Sequence, residues 1–195
     1  MADDIILVDE SDNQTGTGEK MEVHRQGLLH RAFSILIYNQ KGETLLQRRA
    51  ASKYHCPGLW TNTCCSHPRP GEELIFAAER RLKEEMGFTV PVKKIGLEFI
   101  YKIKVRELVE HEYDHVLEGR FDGEPILNPE EADAWKWVSL ENLREDIKNN
   151  PQNYTPWFQL IIGQGSKEAG EKVKGLEKYE VRKSGRNIDF EKESP

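Results

Sequence analysis

"GEELIFAAERRLKEEMGF", residues 71 to 88, spaces its apolar side chains as a helix does. Ile75, Ala78, Leu82 and Met86 recur three or four residues apart, which lines them along one face. Gly87 follows where a left-handed residue stops a helix, so a helix is expected over about residues 73–86. Upstream, "AFSILIYNQKGETLLQRRA" (32–50) holds two β-rich runs, Ala32 to Tyr38 and Thr44 to Arg48, around a Gly-containing turn, and reads as a hairpin. A shorter run, Ile5 to Val8, is a further strand candidate. Downstream, "KIGLEFIYKIKVRELVEHEYDHVLEGRF" (94–121) alternates apolar and polar residues over two lengths, as long antiparallel strands meeting near residues 105–110 do. "AWKWVSL" (134–140) supplies a last strand, and Ser139 caps a helix running to about Lys148. "YTPWFQLIIGQ" (154–164) predicts a final helix with Pro156 in its first turn and Trp157, Leu160 and Ile161 inward. Strands with one central helix and later helices indicate an α+β domain with α/β/α layers and a mixed, largely antiparallel sheet.

The 195 residues fit one domain, assigned to 1–163. Residues 164–195, rich in Lys, Glu, Gly and Ser, are expected to be a charged tail, mobile or weakly docked. A net charge of -6 suggests neither a nucleic-acid groove nor an anionic membrane surface. The apolar runs are too short to cross a bilayer, and the first residues lack a signal-peptide pattern, so a cytoplasmic protein, acting as a monomer, is expected. Cys56, Cys64 and Cys65 form an odd set that makes a disulfide framework improbable in a reducing compartment.

Chemistry-bearing residues concentrate around the helix. His24, His30 and His67 precede Glu110 and Glu112, which stand two apart on a strand and so face the same side. Three imidazoles and two carboxylates make a mixed nitrogen and oxygen set suited to Mn²⁺, Zn²⁺ or Mg²⁺. His55, His111 and His115 are assigned to scattered surface or half-buried positions. A rival reading takes Cys56, Cys64, Cys65 and His67 as a structural zinc site of a binding module; adjacent cysteines without a second spaced pair make it weak.

Counted from the helix, the sequence resembles a Nudix box: Glu72, Arg80, Leu82, Glu84, Glu85, Gly87 and Phe88 fall in register. Ser66 stands in place of the leading glycine. Arg81 stands in place of a carboxylate with which Nudix hydrolases bind the metal that activates attack on a diphosphate. A cation there suits a diphosphate held intact, since Arg81 can pair with phosphate oxygens while Glu85 keeps a Mg²⁺; the plainer alternative is an Arg81–Glu85 pair at i,i+4.

With "GLLHRAFS" (27–34), "LLQRRA" (45–50), "PGLWTNTCCSHP" (57–68), "VEHEYDHV" (109–116) and "TPWF" (155–158) in order, the chain resembles the type 1 isopentenyl-diphosphate delta-isomerases, a Nudix-fold family, over about residues 3–163. The resemblance implies Cys65 as catalytic thiol and Glu112 as catalytic carboxylate, with Tyr101 beside it. It also implies His24, His30, His67, Glu110 and Glu112 as ligands of one metal. A second metal, Mg²⁺, arrives with the substrate diphosphate and uses Glu85 and the Cys65 carbonyl. Lys20, Arg49, Lys53, Ser66 and Arg81 match diphosphate contacts, and Trp157 is placed to face a carbocation or simply to anchor the last helix. Nearby metal and cationic groups are expected to bring the Cys65 thiol toward a usable thiolate. The implied partner is a small prenyl diphosphate; the rival enzyme is a Nudix hydrolase of a nucleoside diphosphate derivative.

Overall fold

The computed structural model describes residues 4–164 and 180–183. Its strands are β1 (Asp4–Val8), β2 (Gln14–Glu19), β3 (His30–Tyr38), β4 (Glu43–Arg49), β5 (Trp60–Thr61), β6 (Cys64–Ser66), β7 (Val92–Val105), β8 (Leu108–Arg120), β9 (Ala132–Ser139) and β10 (Glu180–Lys183). The helices are α1 (Lys20–Gln26), α2 (Leu74–Met86), α3 (Leu140–Asn149) and α4 (Pro156–Gln164).

β3 organises the sheet because both of its faces are buried. Phe33, Ile35 and Ile37 project to one side and meet Ala77, Ala78, Leu82 and Met86 of α2. Leu36 projects to the other side, into a cluster with Leu143 and Ile147 of α3 and Trp157, Phe158 and Ile161 of α4. These two apolar layers give the expected α/β/α arrangement. The sheet is mixed: β3 pairs with β8 in parallel, and the other strand pairings described are antiparallel.

The hairpin expected at residues 32–48 is corrected. β3 and β4 pair only at Tyr38 and Thr44, and then β4 leaves to pair with β5 and β9. β3 is claimed instead by β6 and β8 along its length. The turn itself forms, because the Asn39 side chain accepts hydrogen bonds from the amides of Lys41 and Glu43. The long strands meeting at residues 106–107 are present, as is the Ser139 cap, whose hydroxyl accepts from the Asn142 amide at 3.3 Å. Of the segment expected to be a charged tail, β10 pairs with β7 from Phe99 to Lys102, and Arg182 meets Glu10 at 2.9 Å. Gln164 ends α4, and the rest of that segment lies outside the described residues. Among the described residues no helix is long and apolar enough to cross a membrane.

α2 stops where the sequence predicts. Gly87 has φ 75°, its amide donates to the Lys83 carbonyl, and a Cβ there would lie 2.5 Å from the Ile126 carbonyl oxygen. Gly87→Ala is therefore expected to destabilise the fold by at least about 1–2 kcal/mol from the left-handed conformation alone, with the contact adding to that. Urea unfolding of the two proteins checks it.

Candidate active site and metal centre

α1 starts the site. The Glu19 carboxylate caps it by accepting from the amides of Met21 and Glu22, which sets Lys20 at the first turn and His24 one turn later, fully buried. His30 opens β3 and pairs in register with Glu112 of β8. β6 brings Cys65 opposite Ser34 and leads directly to His67. The β8 side chains Glu110 and Glu112, two apart, are both buried.

His24, His30, His67 and Glu112 each offer a ligand atom, and the four atoms lie within 4.8 Å of one another. Hydrogen bonding fixes two of the imidazoles. Nδ1 of His24 donates to the Lys20 carbonyl at 2.6 Å, and Nδ1 of His30 donates to the Leu28 carbonyl at 2.9 Å. In the neutral rings their Nε2 atoms then carry lone pairs; these atoms are buried and make no hydrogen bond. Yet His24 Nε2 lies 3.2 Å from Glu110 Oε2, and His30 Nε2 lies 3.6 Å from Glu112 Oε1. Acceptors facing acceptors out of water require a proton or a cation between them. Anchoring one ring nitrogen on a carbonyl while aiming the other at a shared centre is how proteins prepare metal ligands, so these residues fit a divalent ion. Glu110 stands just outside the group of four, attached to it through His24.

The cleft beside this centre has an empty volume of about 580 Å³. Lys20, Arg49, Lys53, Cys65, Ser66, His67, Arg81, Glu85, Tyr101, Glu110, Glu112 and Trp157 line it; His24 and His30 lie fully buried. Cys64 and Cys65 diverge: Cys64 packs into the layer beneath α2, whereas Cys65 opens on the cleft. The structural-zinc reading falls on this divergence, and the metal-capable group among the described residues contains no cysteine.

Glu112 Oε2 accepts a short hydrogen bond from the Tyr101 hydroxyl at 2.5 Å, and Oε1 lies 3.0 Å from His67 Nε2. Burial works against the Glu112 charge, but His30 and His67 prevail and hold its carboxyl well below the usual range. Burial pushes the Tyr101 hydroxyl well up, reinforced by Glu112. Among the protein groups around Cys65, burial drives its thiol upward and Arg49 opposes it.

Arg81 makes the pair anticipated at i,i+4, with Nη2 2.6 Å from Glu85 Oε1, and it also reaches Glu84 and Glu131. Gln47 donates to the other Glu85 oxygen at 2.9 Å. Trp157 is fixed by its indole N–H, which donates to Thr61 Oγ1 at 3.1 Å, and the Arg49 guanidinium lies 5.4 Å from its ring centre.

Four residues of this neighbourhood escaped the sequence reading. Asp114 continues the period of two after Glu110 and Glu112, a signal that was available; it is buried, and burial together with Glu112 raises its carboxyl well above the usual range. Glu131 pairs with Lys53 at 2.6 Å and with Arg81 at 3.0 Å, and no local pattern announced it. His55 and His115 are corrected from scattered to buried positions. His115 lies on β8, clamped between Glu98 and Asp12 at 3.0 Å each. His55 lines the cleft 3.1 Å from Glu110, and burial, with Arg49 adding to it, pushes its imidazole down to about 2, so it is neutral. His111 is partly buried, as expected, and donates to the Gly27 carbonyl.

Burial alone raises the Glu131 carboxyl, but Lys53 and Arg81 outweigh it and hold it at about 2. A depressed carboxyl contributes stability above its unfolded pKa and loses it as pH falls. Glu131→Gln should therefore flatten the acid limb of stability between about pH 4.5 and 2, a change that urea titrations across that range will detect.

A helix carrying an altered box, laid on a mixed sheet with two further helices behind it, defines a Nudix protein, and the chain matches the NUDIX domain family over residues 28–158. Solved structures share the fold: one from Deinococcus radiodurans aligns with TM-score 0.66 at 20% identity over 81% of this chain and 96% of that one. A MutT protein from Methanosarcina mazei aligns at 0.59 and 23% identity over 73% and 96%. Sequence relatives are more specific. Isopentenyl-diphosphate Delta-isomerase 2 of Photorhabdus laumondii is 54% identical, covering 81% of this chain and 89% of its own, and that of Aromatoleum aromaticum is 53% identical over 83% and 86%. The chain belongs to the isopentenyl-diphosphate Delta-isomerase family.

Proposed function

We propose that the protein isomerises isopentenyl diphosphate to dimethylallyl diphosphate by protonating one carbon and deprotonating another, in the cytoplasm, as a step of isoprenoid biosynthesis. The observation that carries this reading is one cleft with a thiol, Cys65, and a carboxylate, Glu112, on its wall beside a Nudix helix whose box carboxylate is replaced by Arg81. The replacement argues against a hydrolase of nucleoside diphosphate derivatives, which needs that carboxylate for its metal.

His24, His30, His67, Glu110 and Glu112 would hold one divalent ion, Mn²⁺, Zn²⁺ or Mg²⁺, and Glu85 with the Cys65 carbonyl would hold Mg²⁺ arriving with the diphosphate. When bound, these ions supply positive charge that acidifies the acid side of the cleft and neutralises the diphosphate. Lys20, Arg49, Lys53, Ser66 and Arg81 grip the diphosphate. Binding there, remote from the reacting carbons, offsets the cost of desolvating the alkene and fixes its orientation. Glu112, with Tyr101 hydrogen-bonded to it, delivers the proton to the terminal alkene carbon; Cys65 removes one from the carbon on the other side of the cationic centre, two bonds away. Trp157 presents its ring to the cationic carbon, an attraction of about 2 kcal/mol in a dry site. This proton shift leaves a carboxylate at Glu112 and a thiol at Cys65. One proton must therefore return from the thiol side to the carboxylate side between turnovers.

The reading is tested by incubating isopentenyl diphosphate with the protein and Mg²⁺ and following conversion to the acid-labile allylic diphosphate. Chelation is expected to stop conversion and added divalent ion to restore it. Release of phosphate without allylic product would establish a hydrolase instead.

A further inference from the structure

Trp157 is oriented by a chain of buried side chains that has no part in the roles above. Thr61, Asn62 and Thr155 are fully buried. Thr61 Oγ1 stands at their centre, 3.1 Å from Trp157 Nε1, 2.9 Å from Asn62 Oδ1 and 2.8 Å from Thr155 Oγ1. The direction of each bond is determined. An indole N–H can only donate, and an amide oxygen can only accept. The Asn62 amide is itself oriented, because its nitrogen lies 2.7 Å from the Cys64 carbonyl oxygen and 3.4 Å from that of Ile35. A flipped amide would set oxygen against oxygen at both. The single hydroxyl proton of Thr61 therefore goes to Asn62, and its oxygen accepts from the Trp157 indole and from the Thr155 hydroxyl. The docking of α4 has other supports. The Thr155 amide donates to the Trp60 carbonyl at 2.9 Å, and Phe158, Leu160 and Ile161 are buried in the apolar cluster with Leu143 and Ile147. What the Thr61 hydroxyl adds is a fixed rotation of the indole, held at its nitrogen edge with the Arg49 guanidinium over its face.

We propose that Thr61 is a positioning residue for the isomerisation: its hydroxyl holds the Trp157 indole by the nitrogen edge and so fixes how the ring face meets the reacting carbons. The inference rests on the isomerase reading of the cleft. Because Asn62 is fastened to the Cys64 carbonyl, the frame that holds the ring is the same stretch of main chain that carries Cys65. Ring and thiol are thereby set against each other from one side of the cleft.

The test compares full-length parent, Thr61→Val, Thr61→Ser, Trp157→Phe and the double variant Thr61→Val/Trp157→Phe. Each is measured for kcat and KM with isopentenyl diphosphate and Mg²⁺, for inorganic pyrophosphate binding, and for the indole N–H resonance of Trp157, identified as the one absent from Trp157→Phe. Valine keeps the branched shape of threonine without the hydroxyl, and serine keeps the hydroxyl. Misplacing a group by about 1 Å can cost about 10²-fold in rate. Thr61→Val is expected to lower kcat by about 10–100-fold, to leave KM and pyrophosphate affinity close to those of the parent, and to move the Trp157 resonance upfield as its hydrogen bond is lost. Thr61→Ser is expected to restore most of the rate and the resonance position. In Trp157→Phe the N–H is already gone, so adding Thr61→Val is expected to cost little more, as for two residues that act through one contact. An unchanged kcat in Thr61→Val overturns the proposal. So does an equal fold-loss with and without Trp157, or a loss of pyrophosphate binding in step with kcat, either of which makes Thr61 a residue of the fold alone. The resonance separates this inference from the isomerase reading. A parent that isomerises nothing defeats that reading while the indole shift still reports the hold of Thr61 on Trp157, whereas an unmoved resonance defeats the proposal whatever the parent turns over.

Discussion

Replacing Cys65 by alanine is expected to lower isomerisation by about 10²–10⁴-fold, the usual contribution of a positioned acid or base, while diphosphate binding persists. The side chain opens on the cleft and makes no hydrogen bond that supports the fold, so its removal subtracts chemistry rather than structure. Single-turnover kinetics with isopentenyl diphosphate and pyrophosphate binding measured on the same preparation separate the two. Cys64→Ala is the matching control. Cys64 is fully buried beneath α2, so its loss should cost stability, on the order of 1 kcal/mol, and leave turnover substantially intact. An essential Cys64 beside a dispensable Cys65 would mean that the wrong thiol has been assigned.

Glu112→Gln is expected to be at least as severe, and to fail twice. Glu112 touches His67, lies near His30 and accepts the Tyr101 hydroxyl. The amide cannot deliver a proton, and it presents no negative charge to an ion. Turnover should fall by about 10²–10⁴-fold, and divalent-ion affinity should fall with it. Tyr101→Phe provides the contrast, since it removes the hydrogen bond but keeps the carboxylate, and so should slow turnover while ion affinity holds. Turnover by Glu112→Gln within a few-fold of the parent would remove Glu112 from the acid role.

The sequence was most informative where a physical period was complete. Four apolar residues at helical spacing and a glycine stop located α2 to within a residue of its Leu74 start, and period-two alternation located β7 and β8 with their turn. It was least informative where partners are chosen at a distance. The turn at Asn39 is local and forms, but whether β3 continues beside β4 depends on β6 and β8, and those reach both edges of β3. α1 was invisible because its seven residues bury only Val23 and His24, leaving no stripe to detect, and because its cap is a glutamate rather than one of the usual short polar residues. Among site residues, the two carboxylates on β8 could be paired from spacing alone, and Asp114 lies one step further along the same face. His55 gave no such signal. Its burial in the cleft is set by tertiary packing, as is the upward push that burial gives the Cys65 thiol against Arg49.

Proton NMR of isopentenyl diphosphate incubated with the protein in D₂O and Mg²⁺ tests the isomerase assignment most directly. The expected product is dimethylallyl diphosphate bearing deuterium in the methyl group formed from the protonated alkene carbon, with the diphosphate intact and no conversion after chelation. Phosphate release from a substrate whose prenyl chain stays unrearranged and free of deuterium would contradict it.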